Sequence, residues 1–339
     1  MNNQRDKYDS YQLFANVLEQ KGYSVDVVKG HPSSVTYTSP SGAVWKTNPV
    51  RLTYPFNTEE VHDISLHKNK AYDLADSIGF PIPHTVHLIN SNDDKMQSRI
   101  LETFGKVIVK PADSAESRGL TIDIDSSLKL QKALTYARSV SSSVLIQEQI
   151  TGKEIRFTVV RGKVVAALLR KMAHVVGDGT STIAELIQYE NEARKQLRFT
   201  YLTYPQLDVT IVGRLQFESK EVPPMGEVIK LSISPKIREG ASIYDVLPQV
   251  DESYIALVEK LVSKLDAGFV VVDVFCEAYE EPARIGNYWL IEFNTVPALK
   301  LYYACRDGKQ FDIVDSLAGA IDQWLHDGAE IQPQTLLDA

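Results

Sequence analysis

Three oxygen-bearing side chains interrupt two apolar runs near the C-terminal end of the sequence. Asp273 follows the run Gly-Phe-Val-Val-Val, and Glu292 and Asn294 belong to the run Trp-Leu-Ile-Glu-Phe-Asn. Because Glu292 and Asn294 are two residues apart, they face the same side of a β-strand, and Asp273 joins them if the two strands are neighbours. Oxygen ligands without histidine or cysteine suit Mg²⁺ that is shared with phosphate groups. Taken alone, the alternation is more simply explained by solvent-facing strand positions.

Lys110 is a candidate for phosphate binding because it ends a short apolar strand just before a loop of small residues. That loop contains Ser114, Ser117 and Gly119. A lysine in this position can reach phosphate oxygens while backbone N–H groups of the loop close over them. Without further evidence, an ordinary strand-end lysine is the simpler interpretation.

Residues 147–154 resemble a hinge between two lobes. Gln147, Glu148 and Ile150 could offer backbone groups to the edge of an adenine, and the Glu154 carboxylate could bind ribose hydroxyls. Alone, this segment is weak evidence for a nucleotide site.

Helix and strand patterns alternate around these residues. Tyr11, Phe14, Val17 and Leu18 form one stripe of a helix over residues 8–22 that Gly22 ends, and a strand follows over 23–28. A second helix is predicted from Leu66 to about Ile78. Further strands are expected at 106–111, 120–124, 143–147, 154–160, 163–169, 227–233, 268–276 and 288–293, and helices at 127–139, 251–265 and 311–326. The overall prediction is a mixed α/β protein with largely antiparallel pairing in its second half.

The composition excludes several classes of protein. The 339 residues suffice for two or three compact units, and a net charge of −8 argues against a broad nucleic-acid-binding surface. Cys276 and Cys305 are the only cysteines, too few for a disulfide framework. The first dozen residues are polar, and no apolar run approaches the ~20 residues of a membrane span. These features predict a cytoplasmic protein without nucleic-acid or membrane partners, and they leave a homodimer open.

The order of these pieces along the chain resembles the ATP-grasp superfamily. The likeness is greatest to the ATP-grasp region of cyanophycin synthetases and of bifunctional glutathione-forming ligases, and it covers about residues 62–305. Its most specific feature is the Val-Val-Gly-Asp-Gly motif at residues 175–179. The stretches that carry the resemblance are residues 155–186, 222–228 and 290–297.

The resemblance implies a role for each candidate residue. Lys68 and Lys110 would contact phosphates, with Lys70 as a rival for the first position. The adenine, ribose and phosphate-loop positions would be Gln147, Glu148, Ile150, Glu154, Ser114, Ser117 and Gly119. Asp273, Glu292 and Asn294 would bind Mg²⁺, with Mn²⁺ as the alternative ion. Arg156 and Arg170 are similar to family arginines near the phosphates and the reacting acyl group, which with Lys110 makes the catalytic set.

The sequence also departs from the family. Ser114 and Ser117 stand at glycine-like positions of the phosphate loop, and Pro297-Ala298 replaces a Pro-Gly pair. Serine can still donate to phosphate, but its backbone is less free than that of glycine. These departures bear on the substrate more than on the ATP site. His174, a conceivable general base, is interpreted as a loop residue, since a lone histidine is more often structural.

The resemblance implies an α/β ATP-grasp fold with a small N-terminal domain over residues 1–62 and two lobes, 63–149 and 150–339, that clamp ATP. The implied activity is a stand-alone, ATP-dependent carboxylate–amine ligase that forms an amide through an acyl phosphate, with amino acids or small peptides as substrates. A small-molecule kinase and a non-catalytic ATP-binding protein stay open. Lys236 and Arg238 fit either a substrate carboxylate site or solvated loop charges.

Overall fold

The computed structural model of the chain describes residues 2–27, 35–47, 54, 56–89, 94–114, 118–197, 199, 201–208, 218–232, 236–306 and 311–327. In this part of the chain the strands form four sheets, and all paired strands are antiparallel. The antiparallel pairing predicted for the second half is therefore confirmed. None of the helices in these ranges is both long and apolar enough to span a bilayer.

The N-terminal unit consists of helix α1 (Asn2–Gln20) and a three-stranded sheet of β1 (Ser24–Val27), β2 (Val35–Thr38) and β3 (Val44–Thr47). The predicted helical stripe is buried at Phe14, Val17 and Leu18. Gly22, with φ of +84°, ends the helix as predicted, because a left-handed backbone favours glycine. The predicted strand at 23–28 is confirmed as β1 over Ser24–Val27, and residue 28 lies outside the described residues.

The helix predicted from Leu66 to Ile78 is in fact two helices. Helix α2 (Glu59–Leu66) begins at Thr58, whose hydroxyl accepts from the Val61 N–H at 3.3 Å, and helix α3 (Lys68–Ser77) follows after His67. The backbone of His67 is extended, with φ of −120° and ψ of 100°. This break makes Lys68 the first residue of α3, and its N–H donates to the Ala112 carbonyl at 3.1 Å. No glycine or proline marks the break in the sequence.

A four-stranded sheet with the order β4-β7-β5-β6 forms the middle of the chain. It contains β4 (Thr85–Ile89), β5 (Val107–Pro111), β6 (Thr121–Ile124) and β7 (Ser143–Glu148), together with helices α4 (Asp94–Phe104) and α5 (Ser127–Arg138). Strand and helix side chains share one apolar cluster, in which Val109, Ile146 and Leu130 are fully or almost fully buried. The sequence predicted β5, β6, β7 and α5 and missed β4 and α4.

The largest sheet has five strands in the order β12-β9-β8-β13-β14. They are β8 (Lys153–Val160), β9 (Lys163–Lys171), β12 (Ser242–Asp245), β13 (Phe269–Cys276) and β14 (Tyr288–Asn294). Leu168 and Val271 on one face pack with the N-terminal unit and with helix α8 (Ile313–His326). Helix α7 (Glu252–Val262) packs with Leu169 and Val272 on the other face. Except for β12, which the sequence missed, these elements were predicted.

A small satellite lies beside the edge of this sheet. Helix α6 (Ile183–Gln196) packs on a two-stranded sheet of β10 (His174–Val176) and β11 (Val228–Lys230). Thr182 and Glu185 form a capping box that starts α6. The sequence predicted β11 over a longer range, 227–233, of which residue 233 lies outside the described residues.

Candidate active site

A row of charged side chains crosses three strands of the five-stranded sheet. Asp273 on β13 lies opposite Arg156 on β8 and opposite Glu292 on β14. Residues directly opposite each other on antiparallel strands project from the same face. The three side chains are therefore neighbours. The sequence-based prediction required β13 and β14 to be adjacent for Asp273 to join Glu292 and Asn294, and they are adjacent.

Arg156 and Asp273 form a buried, bidentate ion pair. Arg156 Nε and Nη2 donate to the two carboxylate oxygens of Asp273 at 2.8 and 2.6 Å, and Asp273 is only 1% exposed. Burial opposes ionisation of Asp273, but the charge and hydrogen bonds of Arg156 keep its pKa below the usual value. Burial likewise opposes the charge of Arg156, and Asp273 outweighs it by raising the arginine pKa. Both groups therefore stay ionised inside the protein.

Glu154 and Arg170 make a second ion pair on the neighbouring strands β8 and β9. Arg170 Nη2 donates to Glu154 Oε1. Burial raises the pKa of Glu154 in spite of Arg170, and the nearby carboxylates Asp273 and Glu292 add to the rise. The Nε of Arg170 is buried and has no hydrogen-bond partner in the described part of the chain, so Arg170 keeps one unused donor at the site.

Lys68, not its rival Lys70, lies at the site. Lys68 Nζ donates to the Ser114 carbonyl at 2.9 Å and lies 3.5 Å from a carboxylate oxygen of Glu292. Lys70 instead pairs with Asp63, and their side chains are 47% and 44% exposed. Lys68 thus connects the loop after β5 with strand β14.

Lys110 is buried among uncharged partners. Its side-chain ammonium donates to the Tyr72 hydroxyl and to Gln147 Oε1, both at 3.0 Å, and the residue is 8% exposed. The ammonium also lies 5.5 Å from the centroid of the Tyr72 ring. Among the residues that the structure describes, no carboxylate forms an ion pair with Lys110.

The predicted adenine and phosphate-loop positions occupy different environments. The Gln147 side chain is 2% exposed and donates to the Tyr72 and Thr85 hydroxyls, so it points into the protein. Glu148 and Ile150 lie partly exposed where the chain passes from β7 to β8.

The phosphate-loop positions follow β5. Gly119 has φ of +76°, and a Cβ there would lie 2.6 Å from Pro111, so the position requires glycine. Ser114 Oγ donates to the Arg118 carbonyl at 2.9 Å, and Ser117 lies outside the described residues.

The donor set fits a Mg²⁺ ion that is shared with phosphates. Asn294 Oδ1 accepts from the Val296 N–H at 2.8 Å and retains a lone pair, and the Glu292 side chain is 34% exposed. Across the described ranges, no group of three or more histidine, cysteine, aspartate or glutamate side chains is placed to hold a metal. Two carboxylates and one amide leave room for outside oxygens, as Mg²⁺ at nucleotide sites requires.

Two features of the site were missed at the sequence level. Tyr72 contacts Lys110, and a signal existed, since Tyr72 lies four residues after Lys68 and shares its helix face. The second is a buried network after Asn294, in which the Thr295 hydroxyl contacts His62 Nδ1 at 2.9 Å and Ser65 Oγ at 3.0 Å. No sequence pattern indicated this network, because Thr295 lies 230 or more residues from Ser65 and His62 along the chain.

Other predicted positions lie away from this row. The interpretation of His174 as a loop residue is wrong, because it belongs to β10, beside the satellite helix α6, where strand pairing holds its backbone and its ring contacts the Met172 carbonyl at 2.8 Å. Lys236 lies 3.9 Å from Glu239 in a loop. Burial raises the pKa of both cysteine thiols, Cys276 and Cys305, to about 12. Neither thiol is therefore a reactive nucleophile.

Comparison with known proteins identifies the fold. Residues 74–219 match the family model described as D-ala D-ala ligase C-terminus. The crystal structure of a bifunctional glutathione synthetase from Pasteurella multocida superposes on 93% of this chain and 44% of that one, with a TM-score of 0.65 and 20% identity. The chain has the ATP-grasp fold.

Curated relatives of this ATP-grasp chain include two longer proteins. The cyanophycin synthetase of Trichormus variabilis (strain ATCC 29413 / PCC 7937) is 31% identical over 250 residues, which are 72% of this chain and 27% of the relative. The glutathione biosynthesis bifunctional protein of Streptococcus agalactiae serotype V is 29% identical over 216 residues, 60% of this chain and 28% of the relative. Both resemblances stated from the sequence are confirmed. The chain spans little more than a quarter of the length of these relatives.

Proposed function

We propose that this ATP-grasp protein is a carboxylate–amine ligase that spends ATP to form an amide bond between amino-acid or small-peptide substrates. The observation that carries the proposal is that Lys110, on β5 of the four-stranded sheet, is connected to β14 of the five-stranded sheet, which bears Glu292. Lys110, a buried cation with no carboxylate partner in the described part of the chain, is linked through Tyr72 to the strand that bears Glu292. Phosphoryl transfer from ATP requires a cation that can bind phosphate oxygens, here Lys110, near oxygen ligands for Mg²⁺.

ATP would lie between the four-stranded and five-stranded sheets, which belong to the proposed lobes 63–149 and 150–339. Lys68 and Lys110 reach this junction from α3 and β5, and either ammonium can bind phosphate oxygens. The connection from β7 to β8, with Glu148 and Ile150, would border the adenine. Glu154, at the start of β8, would bind the ribose.

In the first step a substrate carboxylate would attack the γ-phosphate of ATP, which forms an acyl phosphate and releases ADP. Mg²⁺, bound by Asp273, Glu292 and Asn294, would supply charge neutralisation to the phosphates. Arg170 Nε, which has no hydrogen-bond partner among the described residues, would donate to an oxygen that gains negative charge. Arg156 would act indirectly, since its bidentate bond fixes the position of the Asp273 carboxylate.

In the second step a neutral amine would attack the acyl carbon and break its bond to the phosphate oxygen. The proton that the nitrogen loses would pass to the released phosphate, so the products of the whole reaction are an amide, ADP and inorganic phosphate. A neutral amine is a strong enough nucleophile for an acyl phosphate with little help from a base. The site accordingly requires no catalytic histidine, and His174 lies outside the charged row.

The proposal is tested by measuring phosphate release from ATP over a panel of single amino acids and amino-acid pairs. Hydroxylamine in place of the amine would trap the acyl phosphate as a hydroxamate and identify the acid substrate alone. Amino-acid-dependent release of phosphate with stoichiometric ADP and amide is the expected result. Phosphate retained on the product would instead indicate a kinase. Tight ATP binding without turnover across the whole panel would indicate a non-catalytic protein.

A further inference from the structure

We infer that Tyr72 is a positioning residue whose hydroxyl fixes the Lys110 ammonium relative to the strand that carries Glu292. The inference rests on the proposed function, because it assumes that Lys110 binds nucleotide phosphates. The resemblance assigns no role to Tyr72, and the sequence shows only that Tyr72 shares a helix face with Lys68.

The hydrogen bonds of the Tyr72 hydroxyl join three strands from two sheets. Its single proton is donated to the Ile291 carbonyl on β14 at 3.0 Å. Its oxygen accepts from Lys110 Nζ on β5 at 3.0 Å and from Gln147 Nε2 on β7 at 3.2 Å. A phenol has one donor and two acceptor sites, so its hydrogen-bonding capacity is fully used.

These contacts define where the ammonium of Lys110 lies. The Tyr72 hydroxyl and Gln147 Oε1 are its two hydrogen-bond acceptors in the described ranges. Gln147 is itself held, because its amide donates to the Thr85 hydroxyl at 2.8 Å. Both acceptors are therefore fixed, and the cation is preorganised before any ligand arrives.

The same hydroxyl ties the lysine to the proposed metal ligands. Ile291, which accepts the Tyr72 proton, directly precedes Glu292 in β14. The path from the ammonium to the backbone of the metal-bearing strand thus runs through one phenol. A shift of that phenol would alter the separation between the phosphate-binding lysine and the Glu292 carboxylate.

Simple core packing is the competing explanation. The Tyr72 ring belongs to the apolar cluster that also contains Ala71, Ala75 and Phe80, and Tyr72 is 4% exposed. Phenylalanine would preserve that packing and remove only the hydroxyl. Tyr72→Phe therefore separates the two roles.

The experiment measures the affinities of ADP and of adenosine by calorimetry for the unmodified chain, Tyr72→Phe, Lys110→Met and the double variant. Tyr72→Phe should weaken ADP binding roughly tenfold, in line with the loss of one hydrogen bond to a charged group, and leave adenosine binding unchanged. In the Lys110→Met background, the same substitution should have no further effect, because the cation that it positions is gone. In turnover assays the KM for ATP should rise while the KM values of the amino-acid substrates stay constant.

Tyr254→Phe is the matched control. Tyr254 is 1% exposed, its ring packs edge-on against Tyr288 at 5.9 Å, and its hydroxyl donates to the Ala278 carbonyl at 3.3 Å. Loss of this hydroxyl should leave the affinity for ADP unchanged.

Each other outcome has one meaning. Tyr72→Phe would be shown to act through packing if it weakened adenosine binding as much as ADP binding, or if it acted equally in both backgrounds. Unchanged ADP binding in Tyr72→Phe, with a clear loss in Lys110→Met, would overturn only the positioning role. Unchanged ADP binding in Lys110→Met would overturn the proposed phosphate site and the inference with it.

Discussion

Two buried cations, Arg156 and Lys110, have opposite kinds of partner. Arg156 in the five-stranded sheet is neutralised by the two-pronged carboxylate of Asp273. Among the described residues, Lys110 in the four-stranded sheet contacts the hydroxyl and ring of Tyr72 and the amide oxygen of Gln147, and no carboxylate forms an ion pair with it. Both residues are more than nine-tenths buried, with exposures of 7% and 8%.

The difference indicates two roles. Arg156 fixes the position of the Asp273 carboxylate, whereas Lys110 is available to bind an anion from outside the protein. Burial of a charge is costly unless a counter-charge compensates it, and Asp273 provides that compensation for Arg156. The neutral partners of Lys110 compensate its charge only in part. An incoming phosphate would supply the missing counter-charge at Lys110. Arg156 would gain less from a phosphate, because Asp273 already provides its counter-charge.

The largest expected effect is that of Asp273→Asn, which removes the counter-charge of Arg156. The asparagine would leave Arg156 buried without a counter-charge, and loss of one member of a buried pair costs about 3–5 kcal/mol of folding stability. Phosphate release from ATP should fall to background as well, because a proposed metal ligand is lost. Urea unfolding and a phosphate assay measure the two effects, with the exposed Asp26→Asn as control. An unchanged free energy of unfolding would show that Asp273 does not compensate Arg156.

Lys110→Met tests the other side of the comparison. Removal of an incompletely compensated charge should leave the free energy of unfolding equal or higher, whereas ATP affinity should fall about 10–100-fold with the loss of a charge-assisted hydrogen bond. Thermal melting without and with saturating ATP measures both quantities. A destabilisation as large as that of Asp273→Asn would contradict the distinction drawn between the two cations.

Glu190→Gln sharpens the comparison at a carboxylate–arginine pair outside the charged row. Glu190 on α6 accepts from Arg194 Nε at 2.7 Å and from Arg306 Nη2 at 3.2 Å. The variant should lose about 1–2 kcal/mol of stability at pH 7, and nucleotide affinity should not change. A change in ATP affinity would mean that stability losses alone perturb the site.

The cost of Glu190→Gln should also depend on pH. Burial opposes ionisation of Glu190, but Arg306 and Arg194 hold its pKa below the ordinary value of 4.5. The stabilisation is therefore complete above pH 4.5 and is lost as the pH falls through the lower, folded-state pKa. Unfolding free energies at pH 7, 5 and 3 should show the gap between the variant and the unmodified chain closing in acid.

The smallest expected effect is that of Lys70→Met. Lys70 forms an exposed pair with Asp63, and exposed pairs contribute about 0–1 kcal/mol to stability. Its loss should change ATP affinity by less than about twofold, whereas the matched Lys68→Met should weaken it clearly. Equal losses in the two variants would remove the basis for placing Lys68 at the site.

Much of the fold could be predicted because apolar runs and stripes along the sequence indicated which faces of the strands and helices are buried. The apolar runs of β13 and β14 indicated strands, and the stripe at Phe14, Val17 and Leu18 indicated a buried helix face. The break at His67 could not be predicted, since it depends on contacts such as the hydrogen bond from Lys68 to Ala112. The satellite helix α6 was missed although Thr182 and Glu185 form a capping box that the sequence displays.

The residue types of the site were visible in the sequence, whereas their partners were not. The sequence named Asp273, Glu292, Lys68 and Lys110, and the structure places all four at the junction of α3 with the two larger sheets. Their functional roles remain predictions that the variants above test. Nothing in the sequence indicated that Arg156 would pair with Asp273, 117 residues away.

The sequence by itself determined the kind of chemistry, because oxygen ligands, lysines and their order along the chain are local facts. Only the tertiary structure decided which charges cancel. Strand register set Arg156 opposite Asp273, and helix α3 brought Tyr72 rather than a carboxylate to Lys110. Electrostatic compensation depends on distance in space and on burial, and neither can be obtained from spacing along a chain.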